Sequence, residues 1–185
     1  LTGSRSSSKL TVVGQNNVAL VKLEGVLLSS EHIVEELNEY ADDSSIKAIV
    51  IRIDSPGGGV VPSQEIYNAV KHARQEGKKV VASMGSVAAS GGYYVAAAAD
   101  LIVANPGTMT GSIGVKMEFA NVEKLLEKIG VKGMVVKSGE YKDVGSPFRE
   151  MTDKERSLLQ GVIDDVQNQF VLAVARDTGD PEDLA

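Results

Sequence analysis

The strongest constraint on the fold is one run, Ala48-Ile49-Val50-Ile51-Arg52-Ile53, together with the turn that follows at once, Asp54-Ser55-Pro56-Gly57-Gly58-Gly59. The run is β-branched and nearly continuous. Such a strand has no face to give to water, so it belongs in a sheet covered on both sides. A helix must then begin close behind the turn. Ser63 can cap one running through Ile66, Ala69, Val70 and Ala73, stopped at Gly77.

The same alternation recurs along the chain. Val18 to Leu23 reads as a mostly buried strand, which Gly25 to Leu28 extends. Ser30 can cap a helix with Ile33, Val34, Leu37 and Tyr40 at helical spacing. Further short strands are expected at Val80–Ala82, Leu101–Ala104 and Gly133–Val136. Asn121 can cap a helix through Val122, Leu125, Leu126 and Ile129, ended by Gly130. Thr152-Asp153-Lys154-Glu155 is a capping box. It opens a long helix carrying Leu158, Leu159, Val162, Ile163, Val166, Phe170 and Val174 on one face. Strands alternating with helices define an α/β fold with repeated βαβ crossovers. Ligands in such folds sit beyond the carboxyl ends of the strands.

Composition narrows the chemistry. The 185 residues suffice for one compact domain, and 43% are hydrophobic, so a packed core is within reach. Aromatic residues are only 4%, with no Trp, so Val, Ala, Leu and Ile must fill that core. The formal net charge of −6, without a block of Lys or Arg, argues against nucleic acid as a partner. There is no Cys, which removes disulfides, thiolate metal sites and cysteine nucleophiles. The acidic residues show no metal-ligand spacing, and no metal or cofactor is expected. No apolar run approaches the ~18 residues that span a bilayer. Residues 1–16 read as a linker or disordered segment, 17–178 as a single catalytic domain, and 179–185 as a truncated tail. The chain opens without Met, as a piece of a longer protein would.

One stretch invites catalysis. Ser90 lies in Ser83-Met84-Gly85-Ser86-Val87-Ala88-Ala89-Ser90-Gly91-Gly92-Tyr93-Tyr94, where a buried strand has ended and a small-residue helix begins. Its Ala and Gly neighbours leave the hydroxyl open to another molecule. By residue type alone a serine in that place is read first as a helix N-cap, and it is the flanking Ala and Gly and the second glycine loop that favour a nucleophile. As a nucleophile it needs a base. The two histidines, His32 and His72, sit among charged neighbours on expected helices and suit solvent better than a triad. A neutral lysine can replace histidine, since burial lowers a lysine's pKa. Lys142 is the candidate, in the loop Gly139-Glu140-Tyr141-Lys142-Asp143-Val144-Gly145 after an expected buried strand. An ion pair with Asp143 is the plainer role. The Pro56-Gly57-Gly58-Gly59 turn offers bare N–H groups to an oxyanion, or serves only to join strand and helix. It is no phosphate loop, because Gly-Lys-Ser/Thr does not follow. Thr108, Thr110 and Ser112 bring hydroxyls to another glycine loop, where turn and cap chemistry competes with function.

Together, Asp54 to Gly59, Ser83 to Tyr94, Asn105 to Gly114 and Lys137 to Pro147 resemble the signal peptide peptidase A family of bacterial Ser-Lys proteases. The resemblance covers about Val18 to Arg176. It implies a Clp protease/crotonase-like fold of repeated ββα units, with a mostly parallel sheet flanked by helices. It places the nucleophile at Ser90 and the general base at Lys142. The oxyanion donors fall on the N–H groups of Gly57 and Gly91, and the lysine-orienting hydroxyl on Ser112. Gly58, Val60, Met84 and Ile113 become candidate substrate-binding residues. The implied activity is endopeptidase cleavage of remnant signal peptides, or other apolar extended peptides, at the membrane. The implied setting is the bacterial cell membrane, with the catalytic domain extracytoplasmic and attached through a segment absent from this chain. A homo-oligomeric ring or dome is the implied assembly. Broader membrane-protein quality control, a crotonase-like acyl-CoA enzyme and a non-catalytic scaffold are the competing readings. The acyl-CoA reading leaves Ser90 and Lys142 without roles.

Overall fold

The computed structural model describes residues 17–178. They form two compact units, residues 17–113 with 170–178, and residues 114–169.

The first unit is built on a five-stranded sheet. Strands β1 (Val18–Leu27), β2 (Ala48–Gly58), β3 (Lys79–Ala89) and β4 (Leu101–Val103) lie in that order, and β5 (Met109–Gly111) also pairs with β3. All the pairings are parallel. Helices α1 (Glu31–Asp42), α2 (Val60–Gln75) and α3 (Gly91–Ala97) make the crossovers. Ile49, Ile51 and Ile53 of β2 are fully buried, as their β-branched run requires. Burying a side chain of that size stabilises the fold by ~1.5–3 kcal/mol. Tyr94 of α3 packs in the core with its ring tilted against Tyr67 at 4.8 Å and edge-on to Phe170 at 4.8 Å. Phe170, Ala173 and Val174 of α5 (Asp153–Thr178) are the part of that long helix buried here. Lys78, only 7% exposed, spends its ammonium on the carbonyls of Asp43 at 2.6 Å and Ile46 at 3.0 Å.

Two strands run further than their apolar stretches suggest. β2 continues through the glycine turn to Gly58, because Val26 and Leu27 of β1 pair with Gly57 and Gly58. β3 continues to Ala89, because β5 forms inside the expected glycine-threonine loop and pairs with Val87 to Ala89. Between these pairings β3 bulges: Ile53 to Ser55 of β2 oppose Met84 to Ala88 of β3. Asp54 secures the bulge, its carboxylate accepting the Val87 N–H at 3.0 Å. Thr108 and Thr110 donate to the carbonyls of Gly85 and Ala88, at 2.9 and 2.8 Å.

Two expected caps work differently. The Ser30 side chain makes no capping hydrogen bond and pairs with the Glu65 carboxylate. The α2 N-cap is Gly59, and Ser63, one turn in, donates to the Gly59 carbonyl at 2.8 Å.

In the second unit, the capping box at the start of α5 is formed. Glu155 donates its N–H to the Thr152 hydroxyl at 3.2 Å and accepts the Thr152 N–H at 2.9 Å. Helix α4 (Glu123–Lys128) opens with Asn121 accepting the Glu123 N–H at 2.8 Å. Residues 133–136 form no strand, contrary to the apolar pattern. Met134 and Val136 are 96% and 103% exposed, so they have no neighbouring strand or core face to pack on.

Candidate active site

Ser90 joins the end of β3 to the start of α3. Its backbone adopts φ 51 and ψ −122, and its side chain makes no capping hydrogen bond. A non-glycine residue at positive φ costs roughly 1–2 kcal/mol, and such strain gathers at functional sites. Two bonds hold it there. The Ser90 N–H donates to Gly111 of β5 at 2.8 Å, and its carbonyl accepts the Tyr94 N–H at 2.8 Å. The side chain is half-buried. This is the elbow geometry in which a strand-to-helix turn presents a serine hydroxyl.

The glycine turn of β2 packs directly on that elbow. A Cβ on Gly57, whose φ is +94, would lie 2.6 Å from the Gly91 nitrogen and 2.8 Å from the Ser90 Cβ. A Cβ on Gly91 would collide with the Ser63 hydroxyl. The first turn of α3 is equally tight, since a Cβ on Gly92 would meet the Ser55 carbonyl oxygen at 2.9 Å. Gly57, Ser90 and Gly91 are therefore brought together, by two strand ends that the sheet makes neighbours.

The N–H groups of the turn have distinct directions. Gly57 donates to the Ser55 hydroxyl at 3.1 Å, and Gly59 donates to the Leu27 carbonyl of β1 at 2.8 Å. Leu27 is paired with Gly58 and bonds to its neighbour Gly59, the parallel-ladder pattern in which the paired residue, Gly58, turns its own N–H away from β1. Ser55 itself is completely buried. It was missed by sequence reasoning. The signal was the period-two burial of β2, which places Ser55 in phase with Ile49, Ile51 and Ile53.

The other expected site residues fall variously. Met84 is 2% exposed and belongs to the core, where its sulfur lies 3.6 Å from the Thr110 hydroxyl oxygen. Val60 is 38% exposed at the first turn of α2, and Ile113 packs partly buried against the core. Ser112 follows β5, exposed and at φ 55.

Lys142 lies in the second unit, in an exposed series of turns, its N–H donating to the Gly139 carbonyl at 3.2 Å. The expectation that it follows a buried strand does not hold, because residues 133–136 are unpaired and exposed. Nor does Asp143 pair with it. Asp143 accepts Lys137 at 2.7 Å and Arg149 at 2.8 Å. Those two partners, Arg149 foremost, hold its carboxyl well below the usual range. Arg149 also binds Glu155, and with the Thr152 N–H lowers the Glu155 pKa to about 2. A cleft of about 750 Å³ in this unit is lined by Met117, Phe119, Arg149, Leu159 and Ile163, among others. Neither Ser90 nor Lys142 lines it. Among the described residues, no cluster of His, Asp and Glu could hold a metal ion.

Comparison with known proteins places this architecture. A ClpP1 mutant from Listeria monocytogenes superposes with a TM-score of 0.56 at 15% identity, covering 87% of this chain and 72% of the other. The fold is thus that of the Clp protease-like α/β proteins. The sequence pattern of Peptidase family S49 matches residues 72–184. The chain belongs to Peptidase family S49, the family of the SppA proteases. A Synechocystis protein named Putative protease slr0021 is 46% identical over 87% of this chain and 58% of its own length. The Arabidopsis thaliana protein named Serine protease SPPA, chloroplastic, is 37% identical, over 86% and 24%. Protease 4 of Haemophilus influenzae is 33% identical, over 87% and 28%. The chain therefore spans about half, or less, of these relatives.

Proposed function

We propose that this chain carries the catalytic serine of an endopeptidase that cuts extended apolar peptides, remnant signal peptides among them, by a Ser90–Lys142 dyad. The observation that carries the reading is the strained Ser90 elbow packed against the Gly57 turn. That juxtaposition sets a hydroxyl beside backbone N–H groups, which acyl transfer needs and a mere helix cap does not.

In the proposed reaction, the neutral amine of Lys142 takes the proton from the Ser90 hydroxyl. Oγ bonds to the scissile carbonyl carbon, and the charge moves to the carbonyl oxygen. The N–H of Gly91 and one N–H of the glycine turn receive that oxyanion. The Gly57 N–H, first expected in this role, is committed to Ser55. We assign the turn's donor to Gly58, whose N–H is directed to the opposite edge of β2. Loss of one such donor typically costs ~3–4 kcal/mol of barrier. Collapse breaks the C–N bond, the lysine ammonium protonates the leaving amine, and water releases the acyl group.

A lysine serves as base where burial favours its neutral form. Lys142 is exposed in the single chain. The reading therefore calls for cover from further copies or from bound substrate, with Ser112 as the hydroxyl that orients the amine. Assembly into a ring or dome is supported by apolar side chains left bare in the second unit, Met117, Phe119, Met134 and Val136. Among the described residues no helix is long and apolar enough to cross a membrane. Attachment at the membrane, on its extracytoplasmic side, belongs to the reading through the SppA relatives.

The test is hydrolysis of an apolar, signal-peptide-like substrate by the full chain, alongside labelling with a fluorophosphonate. Ser90→Ala should abolish both, and Lys142→Ala should cut turnover at least ~10³-fold. Turnover near that of the unaltered protein in either variant would sink the dyad.

A further inference from the structure

We infer that Ser55 is a positioning residue for the oxyanion donors, its hydroxyl acting as a fixed strut between β1 and the glycine turn. The inference deepens the endopeptidase reading and rests on it.

Ser55 lies on the buried face of β2, fully inaccessible. Its hydroxyl has one proton and two lone pairs. The proton goes to the Gly25 carbonyl at 2.6 Å, and a lone pair receives the Gly57 N–H at 3.1 Å. Both partners sit where the β1–β2 ladder is irregular. Glu24 and Val26 of β1 face Asp54 and Gly57 of β2, so β2 has one residue more than its neighbour there. Gly25 and Gly57 both hold positive φ, at 73° and 94°. A bulge loses regular ladder bonds, and the Ser55 hydroxyl supplies replacements on both sides of it.

The consequence reaches the site through geometry alone. Fixing the Gly57 N–H fixes the plane of the Pro56–Gly57 peptide, and hence the start of the turn. Gly59, bonded to Leu27, fixes its far end. The Gly58 amide is suspended between these anchors. The Ser55 carbonyl oxygen also stands where only a glycine fits at position 92, 2.9 Å from where a Cβ there would lie, in the first turn of α3. One residue therefore ties the donor turn and the helix carrying the Ser90 elbow to the same frame. Preorganised donors of this kind act chiefly on the transition state, so their loss falls on kcat.

The experiment measures kcat, KM and the affinity of a peptide boronic acid, whose tetrahedral adduct mimics the oxyanion, in the full chain. Active sites are counted by fluorophosphonate titration. Ser55→Ala should lower kcat per titrated site about tenfold, with KM changed less than twofold. Boronate affinity should fall by a similar factor. Ser55→Cys, the same skeleton with a somewhat larger atom that donates and accepts more weakly, should lie between, and decides the matter if the alanine variant does not fold. A merely structural Ser55 would lower the melting temperature and the titrated fraction, while kcat per site and boronate affinity stay within twofold. That result, with Ser90→Ala inactive, overturns the inference alone. An active Ser90→Ala would overturn the endopeptidase reading and this role with it.

Discussion

The Cα of Gly57 approaches the backbone of Gly91 so closely that a methyl group on it would stand 2.6 Å from the Gly91 amide nitrogen. The two residues are far apart in sequence and belong to different strand-to-helix turns. Their contact brings the end of β2 against the start of α3, and so sets the glycine turn beside Ser90.

Gly57→Ala is therefore expected to be severe for two reasons. Alanine at φ +94 is strained by ~1–2 kcal/mol, and the crowded Cβ adds overpacking of ~1–3 kcal/mol. Peptide hydrolysis should fall at least ~100-fold, since the turn must withdraw from the elbow. Gly77→Ala is the control, because a Cβ there meets nothing within 4 Å although φ is +82. Only the backbone strain applies, and activity should persist. Comparable activity in both variants would show that the contact does not matter.

Asp54 offers a second test, of the bulge rather than the turn. Its carboxylate receives the Val87 N–H at 3.0 Å, and its side chain fills the space that a Cβ on Gly85 would take. Asp54→Ala should cost ~1–2 kcal/mol in chemical denaturation and slow fluorophosphonate labelling of Ser90 severalfold. Asp54→Asn keeps an acceptor oxygen and should recover most of both. If asparagine is as poor as alanine, the charge matters rather than the Val87 bond.

The acid limb of stability should come largely from the second unit. Arg149 draws the pKa values of both Asp143 and Glu155 below their usual values, Glu155 to about 2. Groups with depressed folded pKa values contribute stability that is fully present above their unfolded values near 4. It is lost as pH falls from there toward the folded values. The melting temperature should hold between pH 7 and about 5, then drop steeply toward pH 2. Glu155→Gln should lower it at pH 7 and flatten that acid slope. An unchanged slope would place the acid sensitivity elsewhere.

Much of the architecture is legible in local pattern. The β-branched run at Ala48 to Ile53 predicts a strand covered on both faces; Ile49, Ile51 and Ile53 on one face are fully buried, while Ala48, Val50 and Arg52 on the other are half-buried. Thr152 and Glu155 announced the start of α5 through reciprocal bonds that span a single turn. The Ser90 stretch stood out because small residues around one hydroxyl suit an exposed elbow, and a strained elbow is what forms. Other features depend on partners distant in the chain. Gly133 to Val136 has strand-like residues, but apolar side chains make a strand only where another edge receives them. Ser30 and Ser63 have good capping chemistry, yet Glu65 takes one and Gly59 displaces the other.

By itself, then, the sequence determined the α/β alternation, the buried strands, the principal helices and the residues worth suspecting, because period, propensity and capping act over one or two turns. Only the tertiary structure decided that β2 runs on to Gly58, that β3 bulges between Met84 and Ala88, and that Ser55 spans Gly25 and Gly57. Those outcomes follow from register and hydrogen-bond satisfaction between separate strands. A buried hydroxyl or N–H must find whichever partner the neighbouring strand brings within 3 Å or so, and no local pattern names that partner in advance.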